Sequence, residues 1–317
     1  GPVKDNKMTP RIADTAKHLW YIYLSITIAC AGAYWLAGMN VFDAICHSFS
    51  TVAIGGFSNH DASLGYFNSP MVNVVCTVFL LIAALNFSLH YAAVSSRSVK
   101  GYFNDPEFKA FFIIQASLIG ICFLVLTLSG YYSSAEQALD QAMIQAVSIS
   151  TTAGFATTDF SVWPAFLPIM LIFSSFIGGC ASSTGGGLKV VRVCLLFLQG
   201  KREVDRLIHP KAVYSVKFGD RAMPDRVVEA VWGFFSAYAV VFVIIMIGLI
   251  ATGLDNLSAF TATAAMLNNL GPGLGSVAAN YADVTDAGKW ILVIAMVFGR
   301  LEVFSLLVLF SPTFWRS

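Results

Sequence analysis

Residues 53–61 read AIGGFSNHD, and residues 153–159 read AGFATTD. The shared core is Gly-Phe-(Ser/Ala)-x-x-Asp, with Gly154 standing 98 residues after Gly56. Each copy lies between apolar stretches long enough to cross a membrane. The fold turns on why a chain of this kind repeats a glycine-centred turn that carries no Lys or Arg.

Of 317 residues, 57% are hydrophobic and 12% are charged, against about 25% charged in a soluble domain. Residues 71–86 hold no charge, and residues 229–254 hold only Glu229. Such runs approach or exceed the roughly 20 residues that span a hydrocarbon core. They read as helices, because an open strand facing lipid leaves its backbone unsatisfied. The chain is therefore an all-α integral membrane protein. The net charge of +1 is uninformative. Cys30, Cys46, Cys76, Cys122, Cys180 and Cys194 show no paired spacing and read as plain thiols in apolar segments. The opening GPVKDNKMTP has neither an initiator methionine nor a signal peptide, so something upstream is removed or the chain is part of a longer protein.

Apolar spans are expected at about 18–38, 71–94, 110–130, 164–178, 188–199, 228–253 and 289–310. Shorter apolar stretches lie at 41–52, 137–150 and 256–268. As helices these would extend roughly 18–21 Å, too short to span, and they read as re-entrant half-helices. The order long helix, short helix, glycine turn, long helix then recurs three times. It divides the chain into a linker (1–8), a first unit (9–104), a second unit with its trailing linker (105–221) and a third unit (222–317). Asp43, Asp140 with Glu136, and Asp255 are expected to cap the short helices, where negative charge is favoured. A repeat of this kind decides the architecture.

Lys and Arg fix the orientation. They cluster at Lys4, Lys7, Arg11 and Lys17, at Arg97, Lys100 and Lys109, and from Lys201 to Arg226, whereas 39–70, 131–163 and 254–288 contain none. Both ends of each unit are therefore expected in the cytoplasm, with the glycine turns opening to the outside. The outer segments carry Asp43, Asp61, Glu136, Asp140, Asp159, Asp255, Asp283 and Asp286. They read as caps and topology signals that also enrich cations locally.

A half-helix that stops at mid-membrane points its carbonyls inward, and that partial negative charge favours a cation. Extended backbone beyond it survives only where it lines protein or water, and its carbonyls can replace an ion's hydration shell. Glycine permits the dihedrals and close approach this path needs. Thr51, Thr151 and Thr152 would add further oxygens.

STVAIGGFSNHDAS, STTAGFATTDF and NNLGPGLGS together resemble the second, third and fourth pore loops of the TrkH family, within the TrkH/KtrB/HKT superfamily of bacterial potassium uptake. The resemblance covers essentially the whole chain. It implies four helix–pore-loop–helix units around a pseudo-fourfold pore, of which the first is missing here. It places the filter at Ile54, Gly55 and Gly56, at Thr152, Ala153 and Gly154, and at Leu270 and Gly271, with K+ at Gly56, Gly154 and Gly271. Gly273 is a less certain neighbour.

Residues 177–189, IGGCASSTGGGLK, interrupt what would otherwise be one long helix. They lack the Gly-x-x-x-x-Gly-Lys-Ser/Thr pattern of a phosphate loop. Broken helices mark ion pathways in transporters, whereas small residues can equally serve close helix packing. The family implies a gating loop here, carried by Gly179, Ser182, Ser183, Thr184, Gly185, Gly186 and Gly187. Arg300 falls midway along the last span, where insertion costs about 2.5–3.5 kcal/mol, so it is expected to face the bundle interior. The family puts a barrier arginine at this place. His47 and His60 sit near the outer mouth without metal-ligand spacing.

The function expected is potassium uptake through a channel-like pore in the bacterial cytoplasmic membrane, with K+ as cargo and no cofactor. The alternative is a sodium-coupled or other secondary transporter with a midplane site at the broken helices. An enzyme is not expected. The family further implies a homodimer and a cytosolic, nucleotide-binding, TrkA-like regulatory subunit. Apart from membrane lipid, no other partner is expected, nucleic acid included.

Overall fold

The computed structural model describes residues 12–164, 166–210, 212, 214–301, 308 and 314–316. The linker at 1–8, with Lys4, Lys7 and Arg11, and most of the last span beyond Leu301 lie outside the described residues.

The chain is helical, apart from a two-stranded hairpin pairing Lys217–Phe218 with Arg221–Ala222. A long helix α1 (Ile12–Leu36) leads to a short α2 (Val41–Val52), and the chain returns through α3 (Pro70–Ala83) and α4 (Phe87–Ser96). A one-turn helix α5 (Lys100–Asn104) connects to long α6 (Pro106–Leu128) and short α7 (Ala135–Ser150), with return through α8 (Leu167–Ser174) and α9 (Val190–Ile208). Long α10 (Asp225–Ala251), short α11 (Asn256–Leu267) and α12 (Asp286–Arg300) repeat the order. Ala16–Leu36 of α1, Pro106–Leu128 and Asp225–Ala251 are long and apolar enough to cross a membrane.

The short helices fall where the sequence places them, but their caps differ. Asn40 caps α2, accepting from the Asp43 N–H at 2.9 Å. Ser134 caps α7, accepting from the Gln137 N–H. Only Asp255 caps as expected, accepting from the Ser258 N–H at 3.1 Å. Asp43 instead occupies the first turn, and Asp140 sits inside α7, accepting from Asn73 Nδ2 of α3 at 2.7 Å. A neutral residue, Asn40 three positions before Asp43 and Ser134 six before Asp140, satisfies the free N–H groups and releases both carboxylates for other bonds. With 12, 16 and 12 residues, the short helices extend roughly 18–24 Å, less than the ~30 Å hydrocarbon core.

The expected single span at 71–94 is broken. α3 and α4 meet at 88°. The Asn86 side chain caps α4 by accepting from the Ser88 N–H at 2.8 Å, and the Ala84 carbonyl accepts from the Cys180 N–H at 2.8 Å. A hydropathy run cannot reveal this break, because the residues on both sides are apolar.

Seams between successive units are closely packed. Tyr34, Phe111, Ile144 and Phe155 are fully buried where the first two units meet. Ala259, Ala262, Ala264 and Ala265 of α11 are 0% exposed, small side chains that let helix backbones approach. The cysteines are free thiols, four of them buried.

Candidate functional site

Each short helix ends in the same backbone figure. Ile54, Thr152 and Asn269 have φ of 50°, 71° and 57°, and two residues later Gly56, Gly154 and Gly271 have φ of 67°, 85° and 102°. The residue between them donates its N–H five residues back: Gly55 to Ser50 O at 2.7 Å, Ala153 to Ser148 O at 2.8 Å, Leu270 to Ala265 O at 2.7 Å. This left-handed helix stop is ordinarily a glycine position, and here a branched Ile, a Thr and an Asn occupy it. The strain of such a residue, on the order of 1–2 kcal/mol, is held by the surrounding packing.

The three turns stand side by side. A Cβ on Gly56 would lie 1.8 Å from the Ala153 carbonyl oxygen, and one on Gly154 would lie 2.0 Å from that of Leu270. The glycines of the first and second turns therefore each abut the carbonyl that precedes the glycine of the next turn. A Cβ on Gly271 meets nothing within 4 Å. The Gly271 carbonyl accepts from Tyr281 Oη at 2.7 Å. Gly273 stays within its own unit, donating to Val277 O and standing near the Val277 and Thr261 side chains.

The three threonines serve structure. Thr51 shares a hydrogen bond with Tyr34 Oη at 2.7 Å, Thr151 donates to Val147 O at 2.7 Å, and Thr152 accepts from the Gly186 N–H at 2.7 Å. Their side chains are buried and hydrogen-bonded here.

Residues 175–189 leave the helix between α8 and α9 and reach the ends of all three short helices. Thr184 Oγ1 donates to Val52 O at 2.9 Å, beneath the first turn. Gly186 meets Thr152 beneath the second, and a Cβ there would lie 2.0 Å from Asn268 O beneath the third. Gly185 packs against Thr151 O and Gly187 against Ser175 O, at Cβ distances of 2.9 and 2.7 Å. These approaches exclude any side chain, which is the physical reason for Gly185-Gly186-Gly187. At the stem, the Val190 N–H donates to Gly179 O at 3.0 Å, and Ser182 O accepts from the Phe87 N–H. Lys189, at φ 78°, turns Nζ back onto Gly185 O, with Ser183 O and Oγ at 3.3 Å.

Arg300 reaches the same loop, donating to Thr184 O at 3.1 Å. Its side chain is exposed among the described residues rather than packed inside the helices. Glu302 lies outside the described residues. Asn268, one residue before the third turn, was not legible as a site residue. It accepts from Tyr238 Oη at 2.6 Å and donates to Ser175 Oγ at 2.9 Å, tying the turn to the start of the loop. Asn269 was also missed, although it occupies the place of Ile54 and Thr152. It stands two residues before Gly271, as Ile54 and Thr152 stand before Gly56 and Gly154, but its side chain shares no chemistry with theirs.

At the far end of α2, the buried Asp43 carboxylate accepts from Asn40 Nδ2 at 2.7 Å and from Asn59 Nδ2, with His60 Nε2 at 3.1 Å. Burial pushes this carboxyl up, but the bonds from Asn59, His60 and Asn40 outweigh it and hold it below its ordinary 3.8. His60 stacks on Tyr66 with ring centroids 3.6 Å apart. The cluster ties the segment after Gly56 back to the start of α2. Asp61, Glu136, Asp159, Asp255, Asp283 and Asp286 are exposed.

A family model described as a cation transport protein, TrkH, matches residues 1–317. The Trk system potassium uptake protein TrkH of Vibrio parahaemolyticus is 66% identical over 319 residues, covering 100% of this chain and 66% of that protein. Its counterpart in Escherichia coli K12 is 60% identical over 317 residues, with the same coverage. The crystal structure of the potassium transporter TrkH from Vibrio parahaemolyticus superposes with a TM-score of 0.94 at 65% identity, over 98% of this chain and 67% of that one. The chain thus spans about two thirds of the length of the curated relatives it matches. On the family match and these identities, the chain belongs to the TrkH family of cation transport proteins.

Proposed function

We propose that this chain forms most of the wall of a potassium-uptake pore in a bacterial cytoplasmic membrane. One observation carries the reading. Three left-handed turns of one figure stand next to one another, with Gly56 and Gly154 each pressed on the carbonyl before the next unit's glycine. Backbone carbonyls at the ends of three half-helices then converge on one region, where they can substitute for an ion's water. Ile54 to Gly56, Thr152 to Gly154 and Leu270 to Gly271 are the filter segments, and residues 179–187 with Arg300 are the gate beneath them. The relatives named as potassium uptake proteins support potassium as cargo.

The units at 9–104, 105–221 and 222–317 are read as the second to fourth of a four-unit ring. Three units in a chain spanning 66% of its relatives support that reading, as does the open side of Gly271. The distribution of Lys and Arg supports cytoplasmic ends and outward-opening turns. The relatives are named as parts of a Trk system, which supports association with other Trk components; the homodimer and the nucleotide-binding cytosolic subunit rest on the family resemblance. A midplane solute site at the broken helices has less support, because the Cys180 N–H and the Thr184 hydroxyl of the loop occupy the break between α3 and α4.

Rubidium uptake into proteoliposomes holding the full-length protein tests the reading. Uptake that external K+ competes away more strongly than Na+ is expected. Absence of Rb+ uptake, or uptake coupled to a Na+ gradient, would overturn it.

A further inference from the structure

The loop's tip is held by scattered bonds from several units, Lys189 and Arg300 among the donors, whereas both legs of its stem meet one carboxylate. Glu107 lies in the first turn of α6 and is 6% exposed. Its Oε1 accepts from the Ala181 N–H at 2.7 Å and from the Val191 N–H at 3.2 Å. Ala181 immediately precedes the run Ser182–Gly187, and Val191 opens α9 just after it. One oxygen therefore closes both legs of the loop, above the rung from the Val190 N–H to Gly179 O. A glutamate after Asp105-Pro106 reads in sequence as an ordinary first-turn acid. Nothing in its local pattern reports a partner 74 or 84 residues away.

The position also gives this carboxylate a lever. α6 starts directly after the short helix α5, with the Asp105 side chain capping α6 by accepting from the Phe108 N–H at 2.8 Å. α5 is tied to α4 by His90 and Tyr102 Oη at 2.6 Å. A displacement of the α5–α6 corner would withdraw the acceptor from both legs at once, whereas the tip bonds would have to break one by one.

We propose that Glu107 is a positioning residue, the clamp that keeps the loop stem closed and so sets resting flux through the pore. The proposal rests on the reading of residues 179–187 as the gate. A charge-assisted bond shared by two backbone donors is stronger than a neutral one, and it ties both legs of the loop to α6 at once, so loss of the clamp should free the stem while the filter turns stay in place.

The test uses full-length protein in proteoliposomes, with Rb+ uptake for Glu107→Ala, Glu107→Gln and a deletion of residues 182–187. Glu107→Ala is expected to raise maximal uptake about 10-fold, with half-saturating Rb+ and Rb+-over-Na+ preference unchanged. Glu107→Gln keeps an oxygen acceptor and should fall between Ala and wild type. Amide hydrogen exchange should quicken in Glu107→Gln at 178–191 and stay unchanged at 135–150, a readout available even if the alanine variant misfolds. Wild-type uptake in both Glu107 variants, or unchanged exchange at 178–191, would overturn the clamp. If the deletion raises uptake and the Glu107 variants do not, the clamp alone falls. If the deletion leaves uptake at the wild-type level, the gate reading falls and the clamp falls with it.

Discussion

Gly154 and Leu270 stand so close that a Cβ on the glycine would lie 2.0 Å from the leucine carbonyl oxygen. They belong to different units, and the same relation joins Gly56 to Ala153 at 1.8 Å. Real Cβ atoms do not approach backbone oxygen this closely, so the glycines are required by the neighbouring unit as well as by their own positive φ.

Gly55 and Gly56 should accordingly respond in opposite ways. Gly56→Ala forces two backbones apart and adds left-handed strain on the order of 1–2 kcal/mol, and Rb+ uptake should fall at least about 10-fold. At Gly55 an added Cβ meets the flexible Phe57 ring at 3.2 Å, and Ala153 already fills the matching place in the second unit. Gly55→Ala should keep uptake within about twofold of wild type, a cost of under about 0.5 kcal/mol. Parallel uptake assays on the two variants make the comparison.

Gly186→Ala places a methyl 2.0 Å from Asn268 O and 3.1 Å from Thr152 Oγ1. The loop is the less constrained partner and should move away from the short-helix ends. Resting Rb+ uptake is expected to rise several-fold, with the melting temperature lowered by the lost Gly186–Thr152 bond, worth about 1 kcal/mol. A fall in uptake with unchanged melting would count against a blocking role.

Asp43 predicts a pH signature at the start of α2. Its carboxyl is held below 3.8 in the folded protein, burial opposing and the bonds from Asn59, His60 and Asn40 prevailing. A lowered folded-state value means that its stabilisation is complete above the unfolded value and disappears as pH falls through the folded one. Asp43→Asn should therefore melt earlier than wild type at about pH 7, by the equivalent of about 1–3 kcal/mol. That difference should shrink below about pH 4. Thermal melts of both proteins across this range check it, and a gap that stayed constant to about pH 3 would argue against the assignment.

The three short helices were legible because apolar runs of 12 to 14 residues beside turns without Lys or Arg cannot span a bilayer. Length and composition alone carry that inference. The loop was legible as a break because Gly-Gly-Gly and Ser-Ser-Thr defeat helix propensity locally. The 88° bend between α3 and α4 was not, since its cause is the Cys180 amide of a distant segment meeting the Ala84 carbonyl. The caps at Asp43 and Asp140, unlike the one at Asp255, were misassigned for a related reason. Asp43 and Asp140 have partners at Asn59, His60 and Asn73, across a turn and across a unit seam. Glu107 and Asn268 escaped entirely, because what singles them out is a pair of long-range bonds and no local pattern. Equivalence of Asn269 with Ile54 and Thr152 needed the dihedral angles, since the three side chains share no chemistry.

The claim that the three turns build one shared filter is tested most directly by K+-over-Na+ preference in Gly154→Ser, assayed as cation uptake by full-length protein in proteoliposomes. A side chain on Gly154 must displace the Leu270 carbonyl of the next unit. The account predicts that the folded variant loses most uptake or most of its preference for K+, by about 10-fold or more. A folded Gly154→Ser protein with wild-type uptake and wild-type preference would contradict it.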